Sequence, residues 1–238
     1  MSDASNASPR LIRVWDPGVR IFHWLLVIAV ALTFLSSEEE GAFSAWHIPI
    51  GWACALLIVF RLVWGIVGGE HARFINFMRP SEIVPHVRHL LSGDLTPTIG
   101  HNPLGALAVL ALLGLTVATI FTGVSGGEHA HETVAYMLLW LVVMHVAAVA
   151  LMSYVTKDNL ILAMVTGKKR RDLFPDAKDA SPPSRSAVPV AAIAVAAVAY
   201  GATRIDPQAF VPHSGAEAGE GGEHENVQSG EASESDDD

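Results

Sequence analysis

The chain has 238 residues, 51% hydrophobic and 16% charged, with a mean hydropathy of +0.38; ordinary soluble domains carry about 25% charged residues, so that class is excluded. Its net charge of −9 is unevenly placed: ten of the 24 acidic residues and no Lys or Arg lie from Ile205 onward, leaving 14 acidic and 15 basic residues in 1–204. The acidity belongs to a tail, the total says nothing about a charged partner surface, and no nucleic-acid partner is expected.

The opening "MSDASNASPR" lacks a basic stretch followed at once by an apolar one, so no cleavable signal peptide is expected and the first apolar helix should serve as the targeting signal. A membrane-crossing helix needs about 20 mainly apolar residues. Residues 19–36 qualify, and after the acidic connection "SSEEEGAFS" so do residues 45–67, which hold the lone cysteine, Cys54. A single cysteine permits no disulfide framework. The long semi-apolar connection that follows is expected to carry a short interfacial helix over 80–91, with Ser81 as N-cap and Pro97 beyond its end. In "GHNPLG", Asn102 and Pro103 read as N-cap and first residue of a third span, 103–124. The connection "SGGEHAHE" leads to a fourth, 133–155. A shorter Ala-rich stretch, 187–202, is a candidate fifth span; the alternative is an Ala-rich surface helix, because Ala inserts less readily than Leu or Ile.

The expected organisation is therefore an N-terminal segment 1–18, a membrane domain 19–167, a basic, Pro-rich linker 168–186, a candidate fifth span 187–203 and an acidic, disordered tail 204–238. Arg10, Arg13 and Arg20, then Arg73, Arg79 and Arg88, then Lys157, Lys168, Lys169, Arg170, Arg171, Lys178 and Arg185 all flank one side of the first four spans, and the two other connections hold no Lys or Arg. That asymmetry predicts an inner-membrane protein with a cytoplasmic N-terminus, its tail emerging outside if the fifth segment spans. No internal repeat, GxGxxG, P-loop or nucleophile elbow is present.

The histidines sort by depth. His23 begins the first span and His47 begins the second, which runs the opposite way, so they lie near opposite faces. In the fourth span His131 and His145 are fourteen residues apart. At 100° per residue they share nearly one face, and at 1.5 Å per residue they are separated by about 21 Å. Against a hydrocarbon core of about 30 Å, this gives two pairs, His23 with His145 inside and His47 with His131 outside. Ionisable side chains inside a membrane point to function. Two imidazoles from different helices at one depth suit the axial positions of a haem held inside a bundle. Covalent c-type attachment is excluded for want of Cys-x-x-Cys-His.

Gly51, four residues after His47, would let a porphyrin approach the backbone. Arg61, on the His47 face at the inner depth, and Arg20, three residues before His23, are candidates to pair with haem propionates; for Arg20, snorkelling to the cytoplasmic surface is an equal alternative. His101 reads as interfacial, with contact to a quinone or propionate as the alternative. His129 cannot aim at the same haem as His131, two residues away. His71, His86 and His89 read as solvated, and His213 and His224 as unstructured. No Asp or Glu falls mid-helix, against an ion path, and no close His, Cys and Asp cluster suits zinc.

The stretches "RVWDPGVRIFHW", "WHIPIGW", "RLVWGIVGGEHARF", "GHNPLGA" and "HETVAYMLLWLVVMHVAAV" resemble the bacterial cytochrome b561 family, which includes the b-type cytochrome subunits of nickel-iron hydrogenases. The resemblance covers residues 10–167 in order. It implies an all-α integral membrane protein with a four-helix bundle, here followed by the candidate fifth helix, in which His23, His47, His131 and His145 are axial ligands of two b-type haems. It also implies electron transfer to or from a quinone, and in one branch oxidation of superoxide with quinone reduction.

The favoured reading is a dihaem electron carrier in the lipid bilayer, linking a quinone with a redox partner such as a c-type cytochrome or an oxidoreductase subunit. It assigns no residue to substrate chemistry. A superoxide:quinone oxidoreductase ranks below it, because Glu38, Glu39, Glu40 and Glu128 on the expected outer side would repel an anionic substrate. A haem-free membrane protein is the third alternative.

Overall fold

A computed structural model describes residues 11–38, 41–78 and 97–213, together with the isolated positions 81, 85, 88 and 92. The helix expected over 80–91 therefore lies outside the described residues except at single positions. Five helices are long and apolar enough to cross a membrane. They are α1 (Pro17–Leu35), α2 (His47–Val67, preceded by a 3-10 turn at Ser44–Trp46), α4 (Pro103–Val124), α5 (Glu128–Thr156) and α7 (Ala187–Ile205); α3 (Phe74–Phe77) and α6 (Leu160–Thr166) are short. The chain is a multi-pass helical membrane protein. One element departs from an all-α reading: β1 (Leu11–Arg13) pairs antiparallel with β2 (Lys168–Arg170), Ile12 opposite Lys169.

Two helix starts lie upstream of their expected positions for local chemical reasons. Asp16 is the N-cap of α1. Its carboxylate accepts from the Val19 amide at 3.0 Å while Pro17 occupies the first turn, where its missing N–H matters least. The same carboxylate accepts from the Trp64 indole at 2.9 Å and the Gly69 amide at 3.3 Å, joining the start of α1 to the end of α2. Gly18 makes this possible, since a methyl there would lie 2.3 Å from the Trp64 ring. Similarly, α5 begins at Glu128 although "EHAHE" is polar, because the first turn projects beyond the apolar part of the helix. At α4 the expectation holds, with the Asn102 side chain accepting from the Gly105 amide at 2.6 Å and Pro103 following.

The packing runs in pairs. Helix α1 lies on α2, α4 on α5, and α2 also meets α4 and α7. A mid-bundle core joins Phe22 of α1, Ile58 of α2 and Leu113 of α4. The remaining surfaces of the long helices carry large exposed apolar side chains, among them Ile21, Ile28, Trp140, Val146 and Tyr154. In water such a surface would aggregate; in a bilayer it faces lipid, which the helices tolerate because their backbone polar groups are paired internally.

The candidate fifth span is a full member of the assembly. Ala187 and Ala191 of α7 are buried with Val19, Trp64 and Ala72, small residues permitting close approach. At its far end Asp206 accepts from the Trp52 indole at 3.1 Å. His213, expected to be unstructured, is buried, and its amide donates to the Ala45 carbonyl at 3.0 Å. The rest of the acidic tail, from residue 214, lies outside the described residues. The expected linker is likewise held in place. The Ser181 amide donates to Glu70 at 2.9 Å, which holds the Glu70 carboxyl below its usual range, the Ala180 amide donates to the Arg13 carbonyl at 2.9 Å, and the Ser184 amide reaches the Val67 carbonyl at 3.3 Å.

Lys169 was expected only as part of a basic flank, but it is buried. Its ammonium lies 2.7 Å from the buried Asp158 carboxylate and donates to the Thr98 carbonyl at 2.8 Å. This pair ties the ribbon to the α5–α6 junction and to the segment entering α4. Replacing Asp158 with Ala strands the ammonium, and removing one partner of a buried pair destabilises by about 3–5 kcal/mol. Thermal unfolding of D158A in detergent should show a clearly lower midpoint than the parent; an unchanged midpoint would refute the buried pair.

Candidate functional site

Helix direction, with α2 and α5 antiparallel to their predecessors α1 and α4, brings the four spanning-helix histidines to two levels. At the end opposite the basic segments, His47 in the first turn of α2 faces His131 in the first turn of α5. Their ring centroids are 6.0 Å apart and their planes are nearly perpendicular, at 86°. His47 Nδ1 lies 3.0 Å from the Thr33 carbonyl oxygen of α1 and 3.4 Å from Ser36 Oγ. His131 Nδ1 lies 2.9 Å from the Thr119 carbonyl oxygen of α4. A carbonyl can only accept, so both Nδ1 atoms carry the proton and each Nε2 keeps a free lone pair. Thus all four helices of the bundle converge on two imidazoles in the same tautomer.

The Thr33 carbonyl is free to accept because it falls in the last turn of α1, where carbonyls lack helical partners. The Thr119 carbonyl is different, lying within α4; it also accepts from Thr122 Oγ1 at 3.0 Å, as the Thr33 carbonyl does from Ser36 Oγ at 3.2 Å. His131 reaches it past Gly123, where an added methyl would lie 3.1 Å from its Nδ1 and 3.2 Å from its Cε1.

His23 of α1 and His145 of α5 lie at the basic end. The His23 ring stands edge-on to Trp24, centroids 5.2 Å apart, and its Nδ1 is buried without a hydrogen-bond partner. Gly51, one turn after His47, faces open space: nothing lies within 4 Å of an added methyl. Arg61 is buried in α2, donating to the Ala72 carbonyl at 3.1 Å with its guanidinium over the Phe74 ring at 4.6 Å. Arg20 donates to the Val165 carbonyl in the last turn of α6, and its Nε is buried without a partner.

His71, expected to be solvated, and His101, expected to be interfacial, are both packed against aromatic rings. His71 is partly buried edge-on to Trp15, centroids 6.1 Å apart. His101 sits between Trp15 and Phe77, at 4.8 and 4.5 Å, with its Nδ1 buried and unpartnered. His129 is exposed, while His86, His89 and His224 lie outside the described residues.

Among the described residues no three His, Cys, Asp or Glu side chains converge. Facing imidazole pairs therefore fit a group that brings its own equatorial donors, and the fixed Nδ1–H tautomer is the usual state of a metal-bound histidine whose other nitrogen binds a backbone carbonyl. No side chain closes the space beside Gly51. The residues present thus suit haem.

The model of the family described as prokaryotic cytochrome b561 matches residues 14–167, a stretch that contains all four of these histidines. The chain belongs to that family. Cytochrome b561 proteins are membrane cytochromes, and this chain is a member of that family. A probable Ni/Fe-hydrogenase B-type cytochrome subunit of Azotobacter vinelandii is 26% identical over 141 residues, covering 48% of this chain and 58% of the relative. The protein of the same description in Azotobacter chroococcum mcd 1 is 25% identical over 141 residues with the same coverage. The chain thus spans under two thirds of the length of these curated relatives. No solved structure matches it. Helix α7 and the acidic tail lie beyond the residues that match the b561 family.

Gly123 and the carbonyls of Thr33 and Thr119 are invisible to a motif search, because a backbone oxygen has no residue signature and one glycine in an apolar helix reads as a packing residue. The burial of His101 was equally hidden, since Trp15 and Phe77 reach it from distant parts of the chain. Burial, then the positive charges of Arg61, His71, Lys169 and His145, push the His101 imidazole down to about 3. In an unfolded chain it would titrate near 6.5, so between these values the unfolded state binds a proton that the folded state refuses. Stability should be complete above about pH 6.5 and fall as the medium is acidified toward about 3. Unfolding midpoints measured across that range should decline less steeply for His101→Phe than for the parent; parallel curves would show that His101 contributes nothing to the acid sensitivity.

Proposed function

We propose that the protein is a dihaem b-type cytochrome that carries electrons across the membrane between a quinone and a redox partner. His47 and His131 hold one haem and His23 and His145 the other. The single observation that carries the reading is the His47 and His131 pair, two facing rings with centroids 6.0 Å apart, each with Nδ1 committed to a carbonyl. Bound haem supplies a one-electron ferric/ferrous couple. With an imidazole pair holding each haem, no ligand position would be left open, which would favour electron transfer over oxygen binding. The helices supply orientation and a water-poor interior. Gly51 leaves room for the ring beside His47, and Arg61 and Arg20, both at the level of His23, are suited to propionate carboxylates.

In this reading residues 19–167 are the haem-carrying membrane domain and the basic end faces the cytoplasm, following the distribution of Lys and Arg. The opposite end, with His47 and His131, then faces outward. A c-type cytochrome or an oxidoreductase subunit is the partner class expected there, supported by the likeness to proteins described as hydrogenase cytochrome subunits.

The test is a reduced-minus-oxidised visible spectrum of purified protein from a haem-supplied host, with haem quantified as its pyridine haemochrome. About two low-spin b-type haems per chain are expected, falling to about one in His131→Ala and in His145→Ala. A parent protein without haem would sink the reading.

A further inference from the structure

The two histidine pairs differ in how their Nδ1 atoms are partnered. At the outer pair both are satisfied, by the Thr33 carbonyl at 3.0 Å and the Thr119 carbonyl at 2.9 Å. At the inner pair His23 Nδ1 is buried with no partner, and His145 has no hydrogen bond among the described residues. The contrast arises from geometry. His47 meets the frayed end of a helix, whereas His131 meets the side of one, at a place where α4 has no side chain in the way.

We propose that Gly123 is a positioning residue for His131, and that the resulting carbonyl bond helps hold the outer haem at a lower reduction potential than the inner one. The inference rests on the dihaem reading above. An imidazole whose N–H is shared with a carbonyl is a more basic ligand. A more basic donor stabilises the ferric ion over the ferrous, and hydrogen bonding around the ligands is one of the means by which a protein sets haem potential. Charge acts in the same direction: buried Arg61, and Arg20 one turn from His23, lie at the inner level, where a cation favours the extra electron.

Gly123 controls the outer term because the approach is close. A methyl at this position would lie 3.1 Å from Nδ1 and 3.2 Å from Cε1 of His131, so the ring must move outward by a few tenths of an ångström. That displacement lengthens a 2.9 Å bond to Thr119, whose oxygen already accepts from the Thr122 hydroxyl at 3.0 Å. Since Gly123 would touch only the ligand, its effect should appear in the potential of one haem and leave the other unmoved.

The experiment is an optical redox titration of the purified full-length protein in detergent, for the parent, His23→Ala and Gly123→Ala. The parent should show two one-electron waves, and His23→Ala, which loses the inner haem, should keep the lower one. Gly123→Ala should raise the lower wave alone, by about threefold to tenfold in the ferric/ferrous equilibrium, or about 30–60 mV at 59 mV per tenfold. Selective loss of the haem that gives the lower wave would equally support the positioning role. A lower wave unmoved in Gly123→Ala overturns the proposal, as does a single wave accounting for both haems in the parent. Should Gly123→Ala fail to fold, the parent and His23→Ala decide the order of potentials, and survival of the higher wave in His23→Ala overturns it. A parent with no haem defeats the dihaem reading instead.

Discussion

In hydrocarbon a polar atom must find its partner inside the protein, and much of this structure follows from how that demand is met for a few side chains. The bundle is apolar enough to be solvated by lipid, so its imidazoles, arginines and single buried lysine are the groups that constrain how helices sit against one another. Where a donor finds a backbone oxygen, two helices are fixed in register: His47 fixes α2 to α1, and His131 fixes α5 to α4. The two bonds are equivalent in chemistry but not in origin. One uses a carbonyl that every helix end leaves spare, the other a carbonyl reached only because α4 presents a glycine.

The basic end meets the same demand with charged groups. Asp16 gathers three donors from α1, α2 and the loop after α2, and a carboxylate at a helix N-terminus is further favoured by the helix dipole. Asp158 and Lys169 neutralise each other beneath the ribbon. These contacts close the end of the bundle that carries most of the basic residues, so it is both the more highly charged end and the more heavily cross-braced one. The opposite end is joined by fewer polar contacts, chiefly those of His47, His131, Trp52 and His213.

Much of this was readable from the chain because spanning helices are dictated by runs of apolar residues, and the level of a side chain in such a helix follows from counting. Hence four helices and two histidine levels come out of arithmetic, and the Asn102-Pro103 start of α4 comes out of capping chemistry. Other features arise from contacts between distant segments and have no local signature. The ribbon joins Leu11–Arg13 to Lys168–Arg170 across the whole membrane domain. Asp16-Pro17-Gly18 looks like a turn until Trp64 is placed against it. His101 looks interfacial until two aromatic rings close around it, and Lys169 looks like a flanking charge until Asp158 is found beside it. In each case local preference is overridden by a partner at least 11 residues away in the sequence.

Helix α7 bears on how such a bundle assembles. Its Ala-rich sequence partitions into lipid more weakly than the Leu-, Ile- and Val-rich helices before it, and its buried alanines fit a groove made by Val19 of α1, Trp64 of α2 and Ala72 beyond it. That groove exists only after α1 and α2 have joined through Asp16. The last of the described helices therefore gains a much better environment once its docking surface is built. It behaves as a late intramolecular ligand of the bundle, so damage to the junction of α1 and α2 should be felt first as faulty retention of α7 in the membrane.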